Sequence, residues 1–335
     1  MRNEGPYILE WLAHHRALGI DSALVFSNAC DDGSDHLLDL LGAAGVVHHV
    51  RHAPRGKSIQ WAALRAARDH PAYTSADWAL ALDCDEFVNI RNGRANLPAL
   101  LDANAGTDAI ALPWRLFGSD GRMRFEDRPV TKRFRRAAPE GMLFPAASRF
   151  FKSLYNARAG AFARPGVHRP KTRASSTPRW RDGAGRALGA EFAGDDARIL
   201  LPPHHADGSV VQINHYSLKS AEEFLAKRRR GLPNRASKPL DATYWAERNF
   251  NLVEEPSIDR HAAAMSQEHA RLVALPGVAE AHANCVAAHR RHISEALRHP
   301  EDARLFTRLS LLPSSRPPDN EVAIEMLEIM RSARL

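Results

Sequence analysis

Cysteine is scarce in this sequence. Only Cys30, Cys84 and Cys285 occur, far apart and without CxxC spacing. An odd, scattered set excludes a disulfide framework and a cysteine zinc cluster, and points to a reducing compartment. Long apolar runs are also missing. Stretches such as Ala79-Leu80-Ala81-Leu82 fall far short of the roughly 20 residues a bilayer-spanning helix needs. The opening Met1-Arg2-Asn3-Glu4-Gly5-Pro6 lacks the apolar region of a signal peptide. No internal repeat is visible, and a cytoplasmic location is the expectation.

What is present describes a folded protein. The 335 residues are 44% hydrophobic and 25% charged, enough to bury a core in one large domain or two modest ones. The net charge of +7 favours anionic partners, namely nucleic acid, anionic lipid or phosphorylated ligands. The basic residues are scattered, with local runs at 133–136 and 227–230. Such scatter fits a solvated basic face better than a nucleic-acid surface.

Along the first two-thirds, helix and strand signals alternate, the pattern of an α/β sheet. Pro6 suits the first turn of a helix whose Ile8, Leu9, Trp11 and Leu12 give it an apolar face before Gly19. Ala23-Leu24-Val25-Phe26 reads as a buried strand ending in the polar turn 27–34. A helix over 35–41 and a strand beginning at Val46 follow. Ser58 is placed to cap a helix running to about His70. Trp78-Ala79-Leu80-Ala81-Leu82 reads as another buried strand, with further strands expected at 109–112, 130–134 and 210–214. Residues 171–207 are rich in Gly, Pro, Arg and Asp and weakly periodic, the mark of a functional lid or of disorder. Ser220-Ala221-Glu222-Glu223 forms a capping box for a helix with Ala221, Phe224 and Leu225 inward and Gly231 as its stop. Beyond about 259 the chain reads as helical at 261–275, 279–298 and 320–332, with Pro313, Pro317 and Pro318 breaking it before the last helix.

The strongest chemical signal is Asp83-Cys84-Asp85 after the apolar run. If the strand continues, residues i and i+2 share a side, so both carboxylates emerge together and Cys84 faces inward. Ligands of open α/β sheets sit beyond the carboxyl ends of strands. Mg²⁺ and Mn²⁺ are commonly held by one or two carboxylates plus substrate phosphate oxygens. By spacing alone D-x-D is weak, since solvated loops often carry it. His204-His205 looks like a metal pair, but adjacent residues on a strand point opposite ways, and a loop is expected there.

An ordered series of further motifs adds to this one. Asn3-Glu4-Gly5-Pro6-Tyr7-Ile8-Leu9-Glu10-Trp11, then His15-Arg16-Ala17-Leu18-Gly19, resembles the opening of family-2-like and family-92-like glycosyltransferases with the GT-A fold. The turn from Asn28 to Asp35 looks like that family's second donor loop, and Asp83-Cys84-Asp85-Glu86-Phe87 resembles its metal motif. Trp114-Arg115-Leu116-Phe117-Gly118-Ser119, Lys152-Ser153, His168-Arg169-Pro170, His215-Tyr216 and the segment from Lys219 to Phe224 continue the likeness over roughly residues 1–235.

The resemblance implies an α/β GT-A fold: a Rossmann-like, mainly parallel sheet flanked by helices over 1–235, then a helical extension over 236–335 that covers the acceptor side or mediates association. It implies transfer of a sugar from a nucleotide-diphosphate sugar to a glycan or lipid-linked acceptor, in a setting such as surface polysaccharide synthesis. A peripheral membrane contact is admitted, and nucleic acid is not an expected partner. Asn3, Glu4, Asn28 and Asp31 would surround the nucleoside. Asp83 would face ribose and metal, and Asp85 would ligate Mn²⁺ or Mg²⁺ directly. His215 would be a third ligand, an imidazole favouring Mn²⁺, or else a hydrogen-bonded core histidine. Lys57, Lys219 or the run 227–230 would neutralise the diphosphate. That run equally ends a helix, where positive charge offsets the macrodipole, the reading favoured for it here.

An inverting transfer needs a carboxylate to deprotonate the acceptor hydroxyl. Glu86, Asp120, Glu126 and Asp127 lie in suitable segments, and Glu126 and Asp127 are the nominated pair. The family usually has an acidic residue where this chain has Lys132. A first strand normally precedes the Asn-Glu motif, so upstream residues that complete the sheet are also expected. Two rival readings are a metal-dependent phosphoesterase or nucleotidyltransferase using the same carboxylates, and a basic nucleic-acid-binding module.

Overall fold

The structure is a computed structural model that describes residues 1–54, 58–231, 240–312 and 314–333. Among them no helix is long and apolar enough to cross a membrane. Helix α1 (Gly5–Ala17) carries Pro in its first turn, where the missing N–H costs nothing. The expected apolar face understates it, because Glu10, His14 and His15 are buried along with Tyr7, Ile8, Leu9 and Leu12. A helix buried all round needs a partner for each polar group. Glu10 accepts from the backbone N–H groups of Val130 and Thr131 at 2.7 and 3.0 Å, and His14 Nε2 lies 2.7 Å from the Val88 carbonyl. The helices Ala262–Val273 and Val278–Arg298 pack against α1, so the surrounding core takes Ile8, Leu12 and Phe87 together with Met265, Leu272 and Cys285.

Strand β1 (Leu24–Ser27) pairs in parallel with β2 (His48–Arg51), which begins two residues later than the valines suggest, and α2 (Ser34–Ala43) connects them. On the other edge of β1, Asn28 N–H donates to the Met1 carbonyl at 2.9 Å and the Met1 amine donates to the Phe26 carbonyl. Helix α3 (Ile59–Arg68) follows, then β3 (Trp78–Leu80), β4 (Glu86–Ile90) and the buried β5 (Ala109–Leu116). The structure is a mixed α/β protein whose larger sheet has seven strands. In it, β5 lies parallel to Val211–His215 and to Trp180–Arg181, and antiparallel to Phe151–Asn156. Strand β4 lies antiparallel to Val211–His215, with Glu86 opposite His215, and β3 lies antiparallel to Phe151–Asn156.

Three expectations are corrected. Residues 130–134 form a short helix, Val130–Arg133, not a strand. The Glu10 carboxylate accepts its first N–H groups, a tertiary cap that propensity cannot report. Residues 171–207 are neither an unstructured lid nor a disordered stretch. They hold short strands and a five-residue helix around Trp180, Leu188 and Phe192, with the Arg169 guanidinium 4.7 Å from the Trp180 ring centroid. Elements this short leave no period to read. The helix Pro300–Leu311 was not expected at all, although Pro300 and Glu301 are ordinary first-turn residues.

The capping box forms as read. Ser220 accepts from Glu223 N–H, Glu223 accepts from Ser220 N–H, and the helix Ala221–Arg230 ends at Gly231 with φ +76°. Asn320–Ser332 also forms over the expected residues, while Pro313 lies outside the described ones.

Candidate functional site

The expected strand continuation at the D-x-D does not occur. Strand β3 stops at Leu80, and Asp83 to Glu86 form a turn in which Glu86 N–H donates to the Asp83 carbonyl at 3.1 Å. The result expected of the carboxylates survives by this other route. Cys84 is buried, and Asp83 and Asp85 both face a cavity of about 610 Å³ that runs from β1 to the Ala221–Arg230 helix. Because β4 pairs with Val211–His215, His215 arrives beside them, its Nε2 3.7 Å from Asp85 Oδ1. The Asp85 carbonyl accepts from Tyr216 N–H at 2.9 Å, which ties the turn to that strand.

Each carboxylate has a buried lysine. Lys227 Nζ lies 2.7 Å from Asp85 Oδ2 and also donates to the Ser217 carbonyl. Lys152 Nζ lies 3.1 Å from both Asp83 Oδ2 and Glu86 Oε2, and Gln60 donates to Asp83 Oδ1 at 3.2 Å. Burial alone would raise the Asp85 carboxyl, but Lys227, His215 and Lys219 hold it far below the usual carboxylate range. Asp83 is likewise held down against its burial, chiefly by Lys152. Glu86, fully enclosed, is pushed up to about 8 by burial and by the neighbouring aspartates despite Lys152. His215 is pushed down to about 3 by burial, which Asp85 only partly offsets. The site therefore holds two anionic carboxylates, a neutral imidazole and two cations near neutral pH.

The other expected residues divide. Glu4 walls the cavity and pairs with Arg230 at 2.5 Å. Asn28 also walls it, its amide donating to the His52 carbonyl at 2.7 Å. Asn3 and Asp31 bond to each other: the Asn3 amide donates to Asp31 Oδ1 at 2.6 Å and Asp31 N–H to Asn3 Oδ1 at 3.0 Å. Lys57 lies outside the described residues. Glu126 pairs with Arg122 at 2.6 Å, Asp127 sits 3.7 Å from His282, and neither is among the cavity's lining side chains. Lys132, in the place where an acidic residue was expected, pairs with Asp259 at 2.7 Å. His204 and His205 form a 3₁₀ turn in which His205 Nδ1 lies 2.6 Å from Asp182, as a loop reading implies.

No family model matches the chain. Over 148 residues, 42% of this chain, it is 24% identical to a protein of Oryza sativa subsp. japonica named as a glycosyltransferase family 92 protein. It is a distant likeness. The matched region spans 24% of that relative's length.

Two site residues escaped the sequence reading of their roles. Lys152 was part of a motif with no role attached, yet it sits in a strand between Phe151 and Leu154, where an unpaired ammonium is not tolerated. A lysine inside a buried apolar strand is a signal that a carboxylate waits opposite. The run 227–230 was assigned to the helix dipole, but Lys227 reaches Asp85, Arg230 reaches Glu4, and Arg228 and Arg229 both reach Asp302. Helical spacing explains the split: residues 227 and 230 share a face.

Proposed function

We propose that this chain is a metal-dependent glycosyltransferase with a GT-A-type fold, which moves a sugar from a nucleotide-diphosphate sugar to a glycan or lipid-linked acceptor. The observation that carries the reading is the pair Asp83 and Asp85 on one cavity wall, with His215 beside them and Lys227 and Arg230 across from them. The likeness to a family 92 glycosyltransferase supports the same class of chemistry.

The donor set fits a divalent cation. Two carboxylates suit Mg²⁺ or Mn²⁺, and a neutral imidazole inclines the set to Mn²⁺. His215 Nδ1 has no hydrogen-bond partner among the described residues. Among those residues, no three His, Cys, Asp or Glu side chains are grouped closely enough to hold an ion by themselves. That suits an ion whose coordination is completed by diphosphate oxygens. Asp83, Asp85 and His215 would hold it, and when bound it would stabilise charge on the departing diphosphate.

The chain's own residues supply the rest. Lys227 and Arg230 offer fixed positive charge at the end of a capped helix, where a diphosphate can exchange with the Asp85 and Glu4 carboxylates as their partner. Lys152, sealed beneath Asp83, keeps that carboxylate ionised. Glu4 and Asn28, at the β1 end of the cavity, are positioned for the nucleoside.

Calorimetry with UDP and GDP, each with and without Mn²⁺, tests the reading. Binding of either nucleotide that requires the cation is expected. If neither binds in any cation, while simple phosphodiesters are hydrolysed without a sugar acceptor, the phosphoesterase reading replaces this one.

A further inference from the structure

One wall of the same cavity is built from aromatic rings. The Trp114 ring centroid lies 4.1 Å from that of His215, 5.1 Å from Phe150 and 5.5 Å from His168, and Phe150 stacks on His168 at 4.9 Å. All four line the cavity, and His215 joins this wall to Asp85. The backbone fixes the group: Trp114 N–H donates to the Phe150 carbonyl at 2.9 Å, Trp114 is registered against Ile213, and His168 Nδ1 lies 3.0 Å from the Phe151 carbonyl.

Two nitrogens in this wall, Trp114 Nε1 and His215 Nδ1, are buried without a hydrogen-bond partner among the described residues. His215 as a whole is only 6% exposed. Leaving such a group unpaired costs on the order of 1–3 kcal/mol, so a ligand that pairs with it gains accordingly. The wall thus offers apolar ring faces with sparse, directed polar atoms, the composition of a small-ligand site.

The ring angles narrow the ligand. Trp114 is inclined at 50°, 59° and 58° to His215, Phe150 and His168, making a concave corner and not a parallel slot of the kind that clamps a flat base. A pyranose has the matching form, with an apolar C–H face to lie on the rings and hydroxyl groups at its edge. We propose that Trp114, Phe150 and His168 form a pyranose-binding subsite beside Asp85, with Trp114 Nε1 directed at a sugar hydroxyl. This deepens the transfer reading and rests on it, since the sugar must lie next to the diphosphate. The transferred sugar and the acceptor sugar share this chemistry.

The test uses the full chain labelled with 5-fluorotryptophan, the Trp114 fluorine signal being assigned by its loss in Trp114→Phe. The probes are UDP and GDP, UDP-glucose and GDP-mannose, and the methyl pyranosides of glucose, galactose and mannose, all with Mn²⁺. The Trp114 signal is expected to move with a sugar-bearing probe and to stay in place with UDP and GDP. A shift with a methyl pyranoside assigns the acceptor sugar, and a shift with a nucleotide sugar alone assigns the transferred one. Phe150→Ala should weaken that binding about tenfold, the scale of one lost aromatic contact, with Phe150→Leu as the better-folded check. If a nucleotide binds but no sugar moves the signal, the subsite falls and the transfer reading stands. If UDP or GDP alone moves it as far as the sugars do, the wall is a base platform and the proposal is overturned. If pyranosides move it and no nucleotide binds, the transfer reading falls and a sugar site remains.

Discussion

Lys227 sets its ammonium 2.7 Å from the Asp85 carboxylate, although 142 residues separate the two in the chain. Both side chains are about nine-tenths buried, so each neutralises a charge that water cannot reach. The contact joins the turn after β3 to the helix Ala221–Arg230, and so makes one site from two distant segments.

Asp85→Asn should remove the cation-dependent part of UDP or GDP binding, read by calorimetry. It should also lower stability by on the order of 3 kcal/mol, because Lys227 is left buried without its counter-charge. The double variant with Lys227→Met should recover much of that stability but none of the nucleotide binding. Unchanged nucleotide binding in Asp85→Asn removes Asp85 from the site.

His215→Gln is expected to weaken Mn²⁺ more than Mg²⁺ in the presence of nucleotide, because only Mn²⁺ gains much from an imidazole nitrogen. Parallel titrations of the two ions are the measurement. Equal losses accompanied by a lower melting temperature would mean that His215 serves packing between Trp114 and Asp85 and not coordination.

Acid stability should follow Glu223. Its carboxyl takes both terminal nitrogens of Arg133, at 2.8 and 2.9 Å, the Tyr7 hydroxyl and Ser220. Burial would raise it, but Arg133 outweighs burial and holds it down at about 2, against an ordinary 4.5. A depressed carboxyl contributes stability above its unfolded value and loses it as pH falls. The loss should therefore run from about pH 4.5 to about pH 2 and reach about 3 kcal/mol. Urea midpoints across that window will show it, and Glu223→Gln should flatten the dependence while lowering stability at pH 7. An equally steep dependence in Glu223→Gln would assign the acid loss to other carboxylates.

Gly183→Ala should be costly. A Cβ there would meet the Val211 carbonyl at 2.4 Å and the Asp207 carbonyl at 2.9 Å, backbone atoms that cannot swing aside. The Gly183 carbonyl also accepts from Val210 and Val211 N–H, seating the strand that delivers His215. A loss of about 1–3 kcal/mol is expected from such overpacking, along with weaker nucleotide binding. Gly185→Ala, with open space around it but φ +83°, should cost about 1–2 kcal/mol from backbone strain and leave binding intact. Thermal melts and nucleotide titrations of the two variants separate the cases.

The sequence by itself determined whatever depends on neighbours along the chain. Pro6 starting α1, the Ser220–Glu223 box, Gly231 ending the helix and the apolar run of β5 were all legible, because capping, propensity and burial period are local. Asp83 and Asp85 stood out for the same reason, two carboxylates closing an apolar run. Only the tertiary structure decided how they are presented, because Glu86 pairs opposite His215 and β4 therefore begins with a turn, not a continued strand. It also decided that residues 130–133 are helical, since the Glu10 carboxylate arrives from 120 residues away. The charge balance of the site was hidden for a physical reason. Lys152 and Lys227 are identified by the carboxylates they face, and an ion pair between segments 69 or 142 residues apart leaves no period in the sequence. Glu126 and Asp127 illustrate the converse, carboxylates in a suitable segment whose side chains turn to Arg122 and His282 and away from the cavity.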